Sequence, residues 1–192
     1  MENIKAVIEA LILASEAPLA LEKICVILDN VEKAEVKNAL EQLIAEYNER
    51  ASGIGLVEVA GGFQFRTRPE LGSWVKKLKG TKPASLSPAA LETLAIVAYR
   101  QPIVKAEIED IRGVDVSAPL RGLLDKKLVR IVGRKDVPGK PIIYGTTKKF
   151  LEVFNLKDLS ELPTLRELKE MNEQKEPEPV TELELIEDCS DT

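Results

Sequence analysis

The stretch of residues 128–154, LVRIVGRKDVPGKPIIYGTTKKFLEVF, restricts the possible folds more than any other part of this sequence. Two short runs rich in β-branched residues, 128–132 and 141–144, flank a segment of glycine, proline and charged residues, which is typical of a loop. Apolar residues at helical spacing follow in residues 148–154. The pattern therefore predicts a β-hairpin with a long basic tip that leads into a helix.

Two short helices are predicted upstream of this hairpin, on either side of Arg112 and Gly113. Helix, turn, helix and hairpin follow each other in this order in winged-helix domains, where the hairpin is the wing. A further helix begins at Ser87 and Pro88, because serine caps helices and proline is favoured in their first turn. The predicted buried stripe of this helix consists of Leu91, Leu94, Ala95 and Ala98.

An internal repeat relates the first half of the chain to the second. A shift of 84 residues without gaps places apolar residues of the first half on apolar residues of the second. The pairs include Val7 with Leu91, Ile12 with Ile96, Leu13 with Val97, Pro18 with Pro102, Leu19 with Ile103, Ile24 with Ile108, Val36 with Leu120, and Leu40 with Leu124. Leu43 with Lys127 is the clear mismatch. Two copies of one three-helix unit, each followed by a hairpin and a helix, are therefore predicted.

In the first half, helices are predicted over residues 4–15, 21–28 and 31–51, the last with Asn30 as its N-cap. A hairpin follows, and a three-residue turn over residues 60–62 separates its apolar and polar faces best. In that register one face carries Val57, Val59, Phe63 and Phe65. A short helix over residues 71–78, with Trp74 and Val75, is predicted to close the domain.

These elements predict an α+β fold, mainly α, with two tandem winged-helix domains related by the internal repeat. The N-terminal domain spans residues 1–79, a linker spans 80–86, and the C-terminal domain spans 87–164. Residues 165–192 form an acidic tail that is predicted to be largely disordered beyond a first helical turn or two. Within this tail Leu183, Leu185 and Ile186 allow a short docking motif, although ordinary disorder is the favoured interpretation.

The residue types exclude most kinds of catalytic site. The chain contains no histidine, and its two cysteines, Cys25 and Cys189, have no metal-ligand spacing. No glycine-rich phosphate loop is present, and the carboxylates at Glu107, Glu109 and Asp110 fit the solvated face of an amphipathic helix. We therefore expect neither an enzyme nor a cofactor. The N-terminus has neither a leader pattern nor an apolar run of membrane-spanning length, which predicts a cytoplasmic protein.

The first predicted helix is apolar around most of its circumference, with Ile4, Val7, Ile8 and Leu11 on its main stripe. Such a helix must be covered on most faces, and a domain of about 80 residues has little means of doing so. Two interpretations remain open from the residues alone: a central core helix, or a surface for self-association through these four residues.

Charge is distributed unevenly along the chain, which bears on DNA binding. Residues 80–160 carry 14 basic and 9 acidic residues, whereas residues 161–192 carry 3 basic and 11 acidic ones. In the second domain, Arg121 suits a base edge, and Arg134, Lys135 and Lys140 at the wing suit phosphates. A solvated hairpin tip is the favoured interpretation, and a DNA-binding transcriptional regulator is the alternative function.

Several sequence runs resemble the segregation and condensation protein B family. They are GRKDVPGKPIIYGTTKKFLEVF, the Arg112-Gly113 pair, LSPAALETLAIVAYRQP and, near the N-terminus, EALILASEAPLALEKI. The similarity covers roughly residues 4–165. Asn155 stands where the family pattern suggests glycine, and asparagine also tolerates the left-handed conformation that ends a helix.

The resemblance implies a non-catalytic accessory subunit of the condensin-type complex of an SMC ATPase and a kleisin, which acts in chromosome condensation and segregation. It favours a homodimer through the first domain, with the kleisin ScpA as partner and the SMC ATPase reached through the kleisin. DNA contact is expected to be weak or indirect, with no membrane or small-molecule partner, and the protein is expected at the nucleoid. The candidate kleisin contacts are large side chains near the motifs: Tyr99, Arg100, Arg112, Tyr144 and Phe150. For Tyr144 and Phe150, packing in the core is the stronger alternative.

Overall fold

The computed structural model describes residues 3–80, 86–164, 166–167 and 170. Most of the predicted linker and tail, including Leu183, Leu185 and Ile186, lies outside these residues. The chain divides into a compact unit, Met1–Glu161, and a second unit, Leu162–Thr192. Both halves of the predicted repeat lie in the first unit, so the division at residues 80–86 stays a prediction. In the second unit, Thr164 and Glu167 cap each other, since each backbone N–H donates to the other's side-chain oxygen.

The described chain is a mixed α/β fold dominated by helices. The first half contains α1 (Ile4–Ala14), α2 (Leu21–Ile27), α3 (Lys33–Glu49), β1 (Ile54–Val59), β2 (Gly62–Thr67) and α4 (Gly72–Lys79), with a 3-10 turn at Pro69–Leu71. The second half contains α5 (Pro88–Arg100), β3 (Ile103–Val104), α6 (Lys105–Arg112), α7 (Ser117–Asp125), β4 (Val129–Arg134), β5 (Ile142–Thr146) and α8 (Lys148–Phe154), with a 3-10 turn at Leu159–Glu161. Each half thus runs from three helices into a hairpin and a short helix, in the predicted order.

Local caps define several of the helix ends. The Ser87 hydroxyl accepts a hydrogen bond from the Ala90 N–H at 3.3 Å, as the sequence predicts for the start of α5. Asn155 ends α8 in the left-handed conformation, with φ of 56°. The predicted cap at Asn30 is wrong, because α3 begins two residues later than predicted and its N-cap is Glu32. Asn30 instead has φ of 63° in the preceding turn.

The repeat is visible in the core from the end of the first helix onward. Leu19 and Ile103 are both buried, and both pair with the second strand of the hairpin in their own half. Further equivalent buried pairs are Ile24 with Ile108 and Val36 with Leu120. In the first helices, however, the ungapped shift fails, because the buried Ile8 falls on Glu92, which is exposed. The buried positions of α5 are instead Ala90, Thr93, Leu94, Val97 and Ala98.

The predicted register of the first hairpin is wrong by one residue. The turn has two residues, Ala60 and Gly61, both with positive φ, and Val59 lies opposite Gly62. A Cβ at Gly62 would lie 2.9 Å from backbone atoms of Pro18 and Leu19, so only glycine fits where this segment crosses the hairpin. The resulting register places Glu58 opposite Phe63 rather than on a separate polar face.

The tip of this hairpin contacts the end of the second half. The Ala60 and Gly61 N–H groups donate hydrogen bonds to the Leu156 and Lys157 carbonyls, at 2.9 and 3.0 Å. The ammonium of Lys157 lies 3.2 Å from the carboxylate of Glu58, so the glutamate that the register places beside Phe63 has an ionic partner. The two-residue turn thus has hydrogen-bond partners for both of its N–H groups, and Glu58 has an ionic partner in the observed register.

Candidate interaction surfaces

Helix α1 is covered on one face by its own domain. Ile8 and Ile12 are fully buried in a core cluster, against which Ile4 and Leu11 also pack. Ile8 is therefore a core residue, which corrects its place in the predicted self-association stripe. Ile4, Val7 and Leu11 are half-buried and keep only part of their surface for a partner.

The exposed apolar face of α1 lies on the other side of the helix. Leu13 is 67% exposed, and Ala6, Ala10 and Ala14 are exposed as well. These four positions recur at helical spacing, and this spacing indicates a second apolar face in the sequence. The predicted stripe instead follows the larger side chains of the helix. We call the four exposed positions the α1 face. The small side chains leave room for a neighbouring backbone to approach closely.

A second exposed apolar stripe runs along α5. Leu91, Ala95 and Tyr99, four residues apart, are exposed, and Arg100 beside them is exposed too. The sequence placed Leu91 and Ala95 in the core, which is wrong, because α5 turns Thr93 and Val97 inward together with Leu94 and Ala98. We call Leu91, Ala95, Tyr99 and Arg100 the α5 face. Two of the predicted kleisin contacts, Tyr99 and Arg100, are neighbours in sequence and are both exposed at the end of α5.

Arg112 is engaged within its own domain. Its guanidinium donates to the Glu92 carboxylate at 2.6 Å and to the Ala89 carbonyl and Thr93 hydroxyl, both at 3.2 Å. Only 12% of the side chain is exposed, so it ties the end of α6 to the beginning of α5. These contacts favour a structural role for Arg112, and the kleisin contact stays a prediction.

Two other predicted kleisin contacts belong to the core. Tyr144 is 7% exposed and lies opposite Ile103 in the sheet, where the strand order is β3-β5-β4. Phe150 is 3% exposed, and its ring centroid lies 4.8 Å from that of Phe154. Neither side chain is available to a partner in this conformation, in agreement with the core-packing alternative.

Two of the predicted DNA contacts at the wing have partners within the domain. Arg121, Arg134, Lys135 and Lys140 are all exposed. The ammonium of Lys135 lies 3.1 Å from the carboxylate of Glu107 on α6, and Arg134 donates to the Lys140 carbonyl at 3.3 Å. Part of the positive charge is thus already neutralised or held within the hairpin.

Shifted pKa values in this half have structural causes. The Val104 N–H and then Lys135 lower the pKa of Glu107. Hydrogen bonds from Ser117 and then Lys105 lower the pKa of Asp115 to about 2. The ammonium of Lys105 lies 3.2 Å from the carboxylate of Asp115, and both side chains are accessible to solvent. The described residues contain no group of His, Cys, Asp and Glu that could hold a metal ion. In the same part of the chain, no helix is both long and apolar enough to cross a bilayer.

Comparisons with known proteins agree on one family. The family model of segregation and condensation complex subunit ScpB matches residues 6–165. Segregation and condensation protein B of Syntrophotalea carbinolica is 50% identical over 162 residues, which cover 84% of this chain and 82% of that protein.

Two solved structures are also similar in sequence. ScpB from Mycobacterium tuberculosis is 34% identical, covering 81% of this chain and 96% of that one, with a TM-score of 0.38. A dimer of the ScpB N-terminal domain complexed with an ScpA peptide is 36% identical, covering 38% of this chain and 91% of that one, with a TM-score of 0.36. Because both TM-scores are low, the family assignment rests on the sequence matches.

Proposed function

This chain belongs to the family of segregation and condensation complex subunits ScpB, and from that premise we propose that it is a non-catalytic accessory subunit of an SMC–kleisin complex. In this role the chain dimerises and binds the kleisin, and it supports chromosome condensation and segregation through its partners. The family match over residues 6–165 is the observation that carries the proposal.

The order of the elements in each half is that of a winged-helix domain, and we interpret the two halves as two such modules. In each half, three helices lead into an antiparallel hairpin, and a short strand segment at Leu19 or Ile103 pairs with the second hairpin strand. Such modules present helix faces and hairpins on a rigid core and bind protein or DNA without chemistry of their own. We assign the first module to dimerisation and the second to the kleisin.

Dimerisation is assigned to the α1 face. Leu13 and the three alanines beside it form an apolar surface on a helix whose opposite side is already buried by Ile8 and Ile12. Burial of this surface against the same surface of a second copy would remove apolar area from water, which stabilises association. Val7 and Leu11, half-buried at its edge, would extend the contact.

Kleisin binding is assigned to the α5 face. It combines exposed apolar area at Leu91 and Tyr99 with a positive charge at Arg100. Tyrosine and arginine are enriched at binding hot spots, because each pairs a large contact area with hydrogen-bond donors. The kleisin is the partner class that the family resemblance implies, and the SMC ATPase would be reached through it, at the nucleoid.

Direct DNA reading is the weaker candidate. On α7 only Arg121 offers a side chain suited to base edges, and Lys135 at the wing is paired with Glu107. Phosphate contacts by Arg134 and Lys140 would give weak, salt-sensitive binding without sequence preference. A tight, sequence-specific footprint would favour a transcriptional regulator instead.

A pull-down tests the proposed function. The tagged full chain is expected to recover the kleisin from the same cell, whereas a variant with Tyr99→Ala and Arg100→Glu should recover much less. Arg121→Glu is the matched control, because it alters an exposed arginine of the same domain outside the α5 face. If the unaltered chain recovers no kleisin, the proposed function is wrong. If both variants lose it equally, the assignment to the α5 face is wrong.

A further inference from the structure

Helix α4 exposes an apolar stripe that no other part of the described chain covers to any depth. Trp74 is 67% exposed and Leu78 is 87% exposed, and Leu71 in the preceding turn is 38% exposed. These positions follow helical spacing, so they lie on one side of the helix. The sequence predicts that this helix closes the first domain, but its largest side chains face solvent.

A helix of this kind needs a partner to be stable. Gly72–Lys79 has only eight residues, and isolated helices of that length do not persist in water because nucleation is unfavourable. Its main contacts within the described chain are with the adjoining turn, Pro69–Leu71. Val75 is half-buried on another side of the helix, and a partner that covers the Trp74–Leu78 side would add to its stability.

The charges around the stripe indicate what kind of partner fits. The stretch Gly72–Lys79 contains Lys76, Lys77 and Lys79 and no acidic residue. The Lys77 ammonium lies 4.9 Å from the centroid of the Trp74 ring, so positive charge borders the apolar surface directly. Lys76 lies on the far side of the helix, two residues from both Trp74 and Leu78, so Lys77 is the cation at the edge of the stripe. A symmetric contact with a second copy would bring two positively charged helices together, which is unfavourable. An acidic partner would instead pair with Lys77.

We propose that α4 is a docking site for an acidic segment of a partner protein, one whose apolar side chains cover Trp74 and Leu78 while a carboxylate meets Lys77. This inference goes beyond the proposed function, since it names a surface apart from the α1 and α5 faces. The partner is defined by its chemistry: negative charge alternating with two or more large aliphatic side chains. Binding combines apolar burial with charge complementarity, so each part can be removed separately.

Trp74 makes the test direct, because it is the only tryptophan in the sequence and its fluorescence reports on α4 alone. The probe is a synthetic peptide with leucines at helical spacing and glutamates elsewhere, titrated into the full chain. We expect Trp74 emission to move to shorter wavelengths and acrylamide quenching to fall, with saturation. Lys77→Glu should weaken the apparent affinity about fivefold or more. Leu78→Ser should also weaken it, and since Leu78 is exposed this change should not unfold the chain.

Matched controls separate specific docking from general attraction. Lys126→Glu makes the same charge change at an exposed position of the second half and should leave the titration unchanged. A peptide with glutamine in place of glutamate should bind at least about tenfold more weakly.

Four results would overturn the proposal. The first is that Trp74 fluorescence does not respond to the acidic peptide, and the second is that the glutamine peptide binds equally well. The third is that Trp74 is already shielded without peptide and becomes exposed on dilution. The fourth is that Trp74 is shielded without peptide and stays shielded on dilution. The third would identify a second copy as the occupant, and the fourth a segment of the same chain. Because the probe is a designed peptide, none of these results bears on the kleisin pull-down.

Discussion

The guanidinium of Arg112 donates a hydrogen bond to the Glu92 carboxylate across 2.6 Å and thereby fastens the end of α6 to the beginning of α5. The same side chain also bonds the Thr93 hydroxyl, which is fully buried. The two partners differ in exposure, since 12% of the arginine side chain is accessible and 63% of the glutamate side chain. The contribution to stability should therefore come mainly from the buried bonds.

Arg112→Ala should lower the free energy of unfolding by about 1.5–3 kcal/mol, because hydrogen bonds from a charged group are lost and buried acceptors are left with fewer partners. Glu92→Gln is the control and should cost less than about 1 kcal/mol, as for exposed ion pairs. Chemical denaturation of both variants gives the comparison. Equal losses in the two variants would mean that the ion pair, rather than the buried bonds, holds the helices together.

Substitution of Leu13 and substitution of Ile8 should have different effects, the first on self-association and the second on stability, although both are apolar residues of α1. Leu13→Glu places a charge on the exposed α1 face and should convert the proposed dimer to a monomer with little loss of monomer stability. Ile8→Ala removes methylenes from the core and should cost about 2–5 kcal/mol of stability. Light scattering and thermal unfolding read out the two effects. A wild-type chain that is monomeric at micromolar concentration would contradict the assignment of the α1 face.

Gly62→Ala should destabilise the first domain by about 1–3 kcal/mol, because the added methyl would meet backbone that cannot move aside as a side chain can. Gly122→Ala is the matched control within the chain. It lies inside α7 with no atom within 4 Å of a new Cβ, so it should stabilise the protein by about 0.5–1 kcal/mol. Denaturant midpoints distinguish the two. A neutral Gly62→Ala would show that the Leu19 segment does not cross the hairpin as closely as the structure has it.

Asp115 should contribute a measurable acid dependence. Hydrogen bonds from Ser117 and then Lys105 lower its folded-state pKa from 3.8 to about 2. Since the folded pKa is below the unfolded one, this stabilisation is present above pH 3.8 and is lost as the pH falls through about 2. Carboxyl-carbon NMR titration should find the low pKa, and Ser117→Ala should raise it toward the ordinary value. Asp115→Asn should remove this part of the acid dependence, and a normal pKa in the unaltered chain would refute the bonding described.

Local signals in the sequence were sufficient for the order of the helices and hairpins, but not for the two-residue strand β3. The cap at Ser87, the left-handed end at Asn155 and the β-branched runs around the second hairpin act within a few residues, so they can be recognised without knowing what packs against them. The buried pairs Leu19 with Ile103 and Ile24 with Ile108 were likewise visible as a repeat. The family resemblance also came from such contiguous runs.

Which side of each element meets the core was decided only by the tertiary structure. The backbone of Leu19 packs against Gly62 and goes with the two-residue turn of the first hairpin. Arg112 bonds Thr93 on the inner face of α5. Strand β3 pairs with β5 beside Tyr144, which is buried. In each case the deciding contact comes from residues distant in the chain. Helical and strand periodicity determine only that an apolar face exists. Whether that face is buried depends on which neighbour packs against it, and for this reason the exposed interaction surfaces are defined by the tertiary structure alone.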